Sequence, residues 1–423
     1  MEAPKKEMDR WIAAHWSQML ARWKELLCLG GTANEAQAME RVAGQLQQWF
    51  AEECRCQLLE TGPKCPKLLV ADWGPWGRQD DQGNQSDRNG AACPNRQENR
   101  IGEGNALRRV VLSGHYDTVF ACGQEQQRVR LDEEAGCMEG PGALDMKGGI
   151  IAAMYAVKLL SLLRAEGVCV RILLAGDEET GHPGSRTAEL LAEYSRGALF
   201  AFNLETGFLN ADVCIGRKGT AECYLNVKGV QSHPGNDFAR GRNAILEMCS
   251  KLEEISALTQ VEKGLTVSPG RIQGGSAVNI IPDACSAALD LRFSSMAEFE
   301  QLQRNIHSIC AVPGIEGTSV QMQLGELLPP FETTDGVREL LRFVQEMARE
   351  LQLSVPQGHY RGGASDAAHI GNAGVPVLCS MGVSGEYSHS EQEYALLSSL
   401  KDRIKLIAWA IAQSARFGGT DEV

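Results

Sequence analysis

Apolar residues recur at helix and strand spacing over most of the chain and predict its elements. Near the amino end they fall three or four residues apart, which predicts an amphipathic helix whose stripe faces a core. The stripe consists of Ile12, Trp16, Met19, Leu20, Trp23, Leu26 and Leu27. Apolar runs at 110–112 and 170–174 predict strands, and residues 148–163 between them predict a helix. This alternation favours an α/β fold with a mixed, largely parallel sheet.

A second unit is predicted inside the first. Its segments are a strand at 221–230, a helix at 243–255, strands at 264–272 and 284–293, a helix at 297–310 and a strand at 318–324. The β-α-β-β-α-β order is the ferredoxin-like pattern. Because the α/β rhythm resumes at Gly336, we expect a ferredoxin-like α+β domain at 212–329, inserted between two parts of the larger domain, 1–211 and 330–423.

One stretch, residues 74–105, shows no apolar period. Gly, Asn, Gln, Asp and Arg dominate it, which predicts an exposed, disordered loop to which we assign no role.

Composition narrows the class of protein. The chain of 423 residues has 41 Lys and Arg against 54 Asp and Glu, a net charge of −13, which disfavours nucleic acid as a general partner. No apolar run is long enough to predict a membrane span. Without an export signal, the 14 cysteines are expected to be reduced thiols in the cytoplasm.

Histidines and carboxylates follow apolar strands or lie in glycine-rich loops at five places. These are His115 with Asp117, Asp145, the pair Glu178 and Glu179, Glu205, and His389. Taken singly, each has an ordinary alternative, such as a surface histidine, a helix N-cap or solvated acids. Together they form a thiol-free set of nitrogen and oxygen donors suited to two zinc ions that share a carboxylate.

This constellation resembles the dizinc aminoacylase and carboxypeptidase family, which includes acetylornithine deacetylase, succinyl-diaminopimelate desuccinylase and bacterial glutamate carboxypeptidase. The resemblance extends from about residue 23 to 412 and keeps the order of the motifs. It is closest to the glutamate carboxypeptidase branch at 140–149, 276–293 and 362–389. It implies a zinc-peptidase-type catalytic domain with an inserted lid and dimerisation domain.

The resemblance also implies a role for each residue of the set. His115 and Glu205 would bind one zinc, Glu179 and His389 would bind the other, Asp145 would bridge them, Asp117 would orient the His115 ring, and Glu178 would be the general base. Cobalt or manganese could replace zinc. Met146 stands where some relatives have a second acidic residue, but it is not an expected ligand.

Further residues are implied to contact the substrate. His233 would stabilise the oxyanion in a neighbouring subunit's site, which implies a homodimer formed through the inserted domain; the alternative is a turn histidine. The substrate carboxylate would be gripped by Asn279, Arg292, Gly362, Gly363 and Ser365. The alternative for Arg292 is a surface pair with Asp290, and His369 is expected to pack rather than to act.

The function expected is hydrolysis of an amide bond next to a free carboxylate, in a glutamate conjugate, an N-acyl amino acid or a short peptide. Two alternatives stay open. An N-acyl-amino-acid deacylase or dipeptidase could use the same residues, and a metal-binding scaffold could have lost turnover, although a scaffold would not need Glu178. A serine hydrolase or single-zinc protease is disfavoured because GxSxG and HExxH are absent.

Overall fold

The computed structural model describes residues 2–75, 107–123 and 128–418. From position 76 onward, the stretch predicted as a disordered loop lies outside these residues. The helices described are α1 (Glu2–Cys28), α2 (Ala36–Phe50), α3 (Gly148–Leu162), α4 (Thr187–Ser195), α5 (Ala244–Ser256), α6 (Met296–Ala311), α7 (Asp335–Glu350), α8 (Ala367–Asn372) and α9 (Leu397–Ala412). The amphipathic helix predicted near the amino end corresponds to α1.

The strands described number sixteen in chain order. They are β1 (Arg55–Leu59), β2 (Leu68–Trp73), β3 (Arg108–His115), β4 (Arg130–Asp132), β5 (Cys137–Glu139), β6 (Val168–Ala175), β7 (Phe200–Asn203), β8 (Val213–Arg217), β9 (Gly219–Lys228), β10 (Thr266–Gly274), β11 (Ala284–Phe293), β12 (Ser319–Leu328), β13 (Gly358–Arg361), β14 (Val377–Leu378), β15 (Gly385–Glu386) and β16 (Tyr394–Leu396).

The chain divides into two units. The first comprises Met1–Ile215, Thr333–Tyr360 and Ser365–Val423, and the second comprises Gly216–Glu332 and Arg361–Ala364. This division differs from the predicted domain boundaries at 212–215 and at 330–332. It also assigns 361–364, expected in the larger domain, to the second unit.

A six-stranded sheet organises the first unit, in the order β1-β2-β6-β3-β7-β14. The pairs β6–β3, β3–β7 and β7–β14 are parallel, whereas β1–β2 and β2–β6 are antiparallel. The central strands are buried along most of their length, as expected for parallel strands covered on both faces. Helix α3, buried along most of its length, packs against α9. The predicted mixed, largely parallel sheet is confirmed.

The second unit has the predicted ferredoxin-like element order. Its sheet runs β10-β11-β9-β12 with antiparallel neighbours, and α5 and α6 pack on it around an apolar cluster. Side chains of β9 alternate between buried and more exposed positions, which fits a sheet with one covered face. Asn243 and Ser295 cap the two helices by accepting backbone N–H bonds.

None of the described helices combines the length and apolar character needed to span a bilayer.

Candidate metal centre

Three neighbouring parallel strands deliver acidic and histidine side chains to one edge of the large sheet. Strand β3 ends at His115, the turn after β6 carries Glu178 and Glu179, and Glu205 lies two residues beyond β7. Because the carboxyl ends of parallel strands share one edge, these side chains converge there. Asp145 reaches the same place from the helical turn Ala143–Lys147 that precedes α3.

Asp145 faces a different histidine with each of its two carboxylate oxygens. Its Oδ1 lies 3.3 Å from Nε2 of His115, and its Oδ2 lies 3.2 Å from Nε2 of His389. A further carboxylate completes each side: Glu205 Oε1 is 3.3 Å from His115 Nε2, and Glu179 Oε2 is 3.2 Å from His389 Nε2. The five residues thus form two groups of three that share Asp145.

These separations fit donor atoms that surround a common ion. Ligands bound tetrahedrally at about 2.0–2.2 Å lie about 3.3–3.6 Å apart. Nε2 of His115 is buried and makes no hydrogen bond to any described residue, although three carboxylates surround it. The donor set therefore fits two divalent cations.

His115 also has the tautomer that a metal ligand needs. Its Nδ1 lies 3.2 Å from the backbone carbonyl of Asp117, which can only accept, so Nδ1 carries the proton and Nε2 keeps its lone pair in the neutral ring. The Asp117 carboxylate is 3.3 Å from the same Nδ1 and accepts the backbone N–H of Glu179. This arrangement fits the orienting role expected for Asp117.

The carboxylates at this edge of the sheet create a demand for compensating positive charge. Burial alone would lower the pKa of His115, but Asp117, Asp145 and Glu205 raise it well above its usual value. Hydrogen bonds to Asp145 and Glu179 raise the pKa of His389 to about 11. Burial opposes ionisation of Asp145, yet the two imidazoles hold its pKa well below its usual value. Divalent cations would satisfy the same demand and leave both rings neutral.

Glu178 lies beside the two groups without belonging to either. Its Oε2 is 4.0 Å from His115 Nε2, farther than the carboxylate oxygens of Asp145 and Glu205. Burial raises the pKa of Glu178 well above its usual value, His115 opposes this, and Glu205 adds to it. A carboxylate that lies beside the ligand groups without joining them is placed to accept a proton.

Met146 packs directly beneath His115. Its Sδ accepts the backbone N–H of His115 at 3.1 Å, and the side chain is fully buried. A Cβ at Gly114 would lie 2.3 Å from the methyl carbon of Met146, so a larger residue there would require the Met146 side chain to move. Met146, where the chain departs from the family pattern, therefore contacts the expected ligand His115 and is not itself an expected ligand.

Sequence reasoning missed two buried groups at this edge. The first is Glu393, whose carboxylate accepts backbone N–H bonds from Gly142, Leu144 and Asp145 at 2.8–3.0 Å. Its only sequence signal is its position four residues after His389.

The second missed group consists of Asp177, His182 and Asp366. His182 lies between the two carboxylates, 2.8 Å from Asp177 and 2.7 Å from Asp366. His369 packs its ring against His182 with centroids 5.7 Å apart, as its packing role predicts.

The expected substrate-contacting residues fall in both units. Ser365 is buried in the first, where its Oγ accepts the backbone N–H of Ala367. The others, His233, Asn279, Arg292, Gly362 and Gly363, belong to the second.

Two residues of the second unit have distinctive contacts. Arg292 donates two hydrogen bonds to Asp290 at 2.8 and 2.9 Å, the pairing left open as its alternative. His233 is exposed, and its Nδ1 accepts backbone N–H bonds from Gly235 and Asn236. The neutral ring therefore carries its proton on Nε2, which can act as a donor.

Curated relatives and solved structures resemble this chain over most of its length. Carboxypeptidase G2 of Pseudomonas sp. (strain RS-16) is 26% identical over 313 residues, 72% of this chain and 74% of the relative. A succinyl-diaminopimelate desuccinylase of Halorhodospira halophila is 29% identical over 63% of this chain and 72% of its own.

Among solved structures, aminopeptidase PepT of Bacillus cereus superposes with a TM-score of 0.71 at 17% identity, covering 94% of this chain and 98% of its own. A dinuclear metal-binding peptidase of the M20 family from Bacillus subtilis gives 0.66 at 16% identity, covering 95% and 98%. These likenesses show a shared fold. The model of peptidase family M20/M25/M40 matches residues 111–413, and the chain belongs to that family of metal-dependent hydrolases.

Proposed function

We propose that this enzyme hydrolyses an amide bond adjacent to a free carboxylate, in the manner of a glutamate carboxypeptidase. The observation that carries the proposal is the shared carboxylate of Asp145, with one oxygen 3.3 Å from His115 and the other 3.2 Å from His389. Such an arrangement serves two adjacent cations, and a two-cation site is suited to activating water for hydrolysis.

The cations proposed are two zinc ions per chain, with cobalt or manganese as substitutes. The ligand groups offer imidazole nitrogens and carboxylate oxygens and contain no thiolate. Zinc accepts this donor set and retains an open position for water in catalytic sites. When bound, the ions would polarise the scissile carbonyl and make water acidic enough to attack it near neutral pH.

Residues of the chain transfer the protons of the reaction and fix the tautomer of the ligand His115. Glu178 accepts the proton of the attacking water and returns it to the leaving nitrogen, a role suited to a carboxylate that lies beside the two ligand groups without belonging to either. Asp117 keeps the proton of His115 on Nδ1, so that Nε2 remains a ligand. Glu179 and Glu205 each neutralise part of the cationic charge on their own side of Asp145.

Similarity to named relatives supports the proposed substrate class. Support comes from the 26% identity to carboxypeptidase G2 and from the resemblance around 362–389. The desuccinylase relatives favour the alternative, an N-acyl-amino-acid deacylase that uses the same ligands. The carboxylate-gripping roles of Asn279, Arg292, the two glycines and Ser365 stay predictions, and Arg292 would have to exchange Asp290 for the substrate.

A homodimer formed through the second unit is also proposed. Several large apolar side chains are exposed on this unit, and an interface that covered them would remove apolar surface from water. They include Phe238, Leu246, Val261, Ile272, Val278 and Val312. The oxyanion role of His233 and the reducing compartment expected from the cysteines stay predictions.

The experiment is metal analysis of the purified chain together with hydrolysis of a substrate panel. The panel contains folyl glutamates, N-acetyl and N-succinyl amino acids, and dipeptides, each paired with its carboxamide as a matched control for the free carboxylate. Two metals per chain with carboxylate-dependent release of an amino acid would support the proposal. Equal cleavage of acid and carboxamide would contradict it, and preference for small acyl groups would favour the deacylase.

Two variants separate base from ligand. Glu178→Gln should keep two metals, because its carboxylate lies outside both ligand groups, and should lower turnover by about 10²–10⁴-fold. His389→Ala should instead reduce the metal content toward one per chain. Full turnover in Glu178→Gln would contradict the assignment of the base.

A further inference from the structure

His182 is a buried histidine whose two ring nitrogens both face carboxylates. Nδ1 lies 2.8 Å from Oδ1 of Asp177, and Nε2 lies 2.7 Å from Oδ1 of Asp366. All three side chains are buried. An ionised carboxylate only accepts hydrogen bonds, so both ring nitrogens must donate, and the ring is an imidazolium.

Electrostatics agree with this protonation state. Burial alone would lower the pKa of His182, but Asp366 and Asp177 raise it to about 11. Burial would likewise raise the pKa of Asp366, and the charge of His182 holds it below its usual value. The three groups therefore carry one buried positive charge between two negative ones.

The cluster differs from a metal site in its distances. His182, Asp366 and His369 bring potential ligand atoms within 4.8 Å of one another. However, His182 and Asp366 are 2.7 Å apart, a hydrogen-bond distance, whereas the ligand groups around Asp145 show 3.2–3.3 Å. Nε2 of His369 lies 4.0 Å from Asp366, too far for a hydrogen bond. A cation here would have to break a bond that His182 already makes.

The ion pairs join the turn that carries the base to a distant segment of the same unit. Asp177 directly precedes the short helical turn Glu178–Thr180, and its other carboxylate oxygen accepts a hydrogen bond from the Thr187 hydroxyl at 3.2 Å. The backbone N–H of His182 donates to the carbonyl of Asp177, which closes the turn. On the other side, Asp366 immediately precedes α8.

We propose that His182 is a positioning residue, whose imidazolium holds Asp177 against Asp366 and thereby fixes the turn that presents Glu178 and Glu179. The inference rests on the proposed function for the roles of those two glutamates. The two ion pairs that His182 makes with Asp177 and Asp366, here called the tie, involve no metal or substrate. The tie can therefore be tested without measuring turnover.

The test compares His182→Ala with His369→Ala, a matched control that removes a neighbouring imidazole without removing a hydrogen bond to either carboxylate. At saturating metal, His182→Ala should lower kcat by about 10–100-fold, with KM changed less than about threefold and two metals retained. Added imidazole should restore part of kcat, because it can occupy the vacated space between the carboxylates. His369→Ala should change kcat less than about threefold.

A second measurement uses hydrogen–deuterium exchange on the metal-depleted chain. Amides of residues 178–182 should exchange faster in His182→Ala than in the wild type, and not in His369→Ala. Wild-type exchange and kcat in folded His182→Ala would overturn the proposal. So would a third bound metal that is lost with His182. If the wild type hydrolysed nothing in the panel, the proposed function would fail, while the exchange result would still decide the role of the tie.

Because His182→Ala leaves two buried carboxylates without their counter-charge, the variant could fail to fold. Asp366→Asn then provides the test, since it keeps the pair of Asp177 and His182 and weakens only the tie to α8. Faster exchange at 178–182 would support the proposal, and unchanged exchange would overturn it.

Discussion

Glu393 gives a prediction whose size can be worked out from the structure. Its Oε1 accepts the backbone N–H groups of Leu144 and Asp145 at 2.8 and 2.9 Å, and its Oε2 accepts that of Gly142 at 3.0 Å. The side chain is 2% exposed, so water does not replace these bonds. One carboxylate thus satisfies three donors of the loop that presents the shared ligand Asp145.

The substitution Glu393→Gln alters this arrangement in two ways. The amide oxygen can still accept from Leu144 and Asp145, but the amide NH₂ then faces the N–H of Gly142, so one buried donor loses its acceptor at about 1–3 kcal/mol. Ionisation acts in the opposite direction: because the fold raises the pKa of Glu393 from 4.5 to about 7, the charge costs the folded chain about 3 kcal/mol at pH 8, and the neutral amide avoids this cost. We therefore expect Glu393→Gln to lower the free energy of unfolding by up to about 2 kcal/mol at pH 5, where Glu393 is neutral in the folded chain, and this difference to shrink or reverse at pH 8.

The assay is urea unfolding of the metal-free chain at pH 5 and at pH 8, followed by a metal-competition titration at pH 8. Burial raises the pKa of Glu393 to about 7, against the opposing backbone N–H bonds, so the carboxylate is ionised at pH 8. Because the loop carries Asp145, metal affinity should also fall, by about 10–100-fold.

The matched control is Glu391→Gln, two residues away. Glu391 is 76% exposed and pairs with Arg128 at the surface, so its loss should change stability by less than about 0.5 kcal/mol. Equal stability at pH 5 and equal metal affinity of the two variants would refute the reasoning.

Two further predictions concern histidines. His233→Ala should lower kcat and leave the metal content unchanged, since His233 lies in neither ligand group; full activity of an isolated monomer would contradict the cross-subunit role. The pKa of His182 is about 11 in the folded chain against an ordinary value of 6.5, so its contribution to stability is complete below pH 6.5 and is lost as pH rises toward 11. Urea unfolding of the metal-free chain between pH 7 and 10 should therefore show stability falling with pH, and His182→Gln should flatten this slope by up to about 1.4 kcal/mol per pH unit. Identical slopes would show that His182 does not hold the extra proton.

Local patterns predicted the ferredoxin-like element order of the second unit. Each element depends on features that lie within a few residues of one another. In the structure β9 alternates between buried and more exposed side chains, and Asn243 and Ser295 cap the two helices. The convergence of His115, Glu178 and Glu205 also followed from local information, because each lies at or just after the end of a strand in one parallel sheet.

Partners distant in sequence could not be predicted. Asp366 is 184 residues from His182, and Glu393 is about 250 residues from the loop it holds. Neither pairing produces a spacing or a periodicity from which it could be predicted in the sequence. Arg292 shows a different limit: alternation places Asp290 on the same face, so the sequence left a pair with Asp290 open as the alternative to a substrate ligand. In the structure Arg292 bonds Asp290, and its role toward a substrate stays a prediction.

Two clusters at this edge of the sheet contain the same residue types and differ in what supplies the positive charge. Around His115 the ring nitrogen Nε2 makes no hydrogen bond within the described part of the chain and lies 3.3 Å from each of two carboxylates, a spacing that leaves a place for an ion between them. Around His182 both ring nitrogens donate at 2.7–2.8 Å, so the ring itself is the cation. Metal depletion should therefore loosen the first cluster and leave the second intact. Both clusters help to position Glu178. Its position would therefore depend on the bound ions at the first cluster and on the protonated ring of His182 at the second.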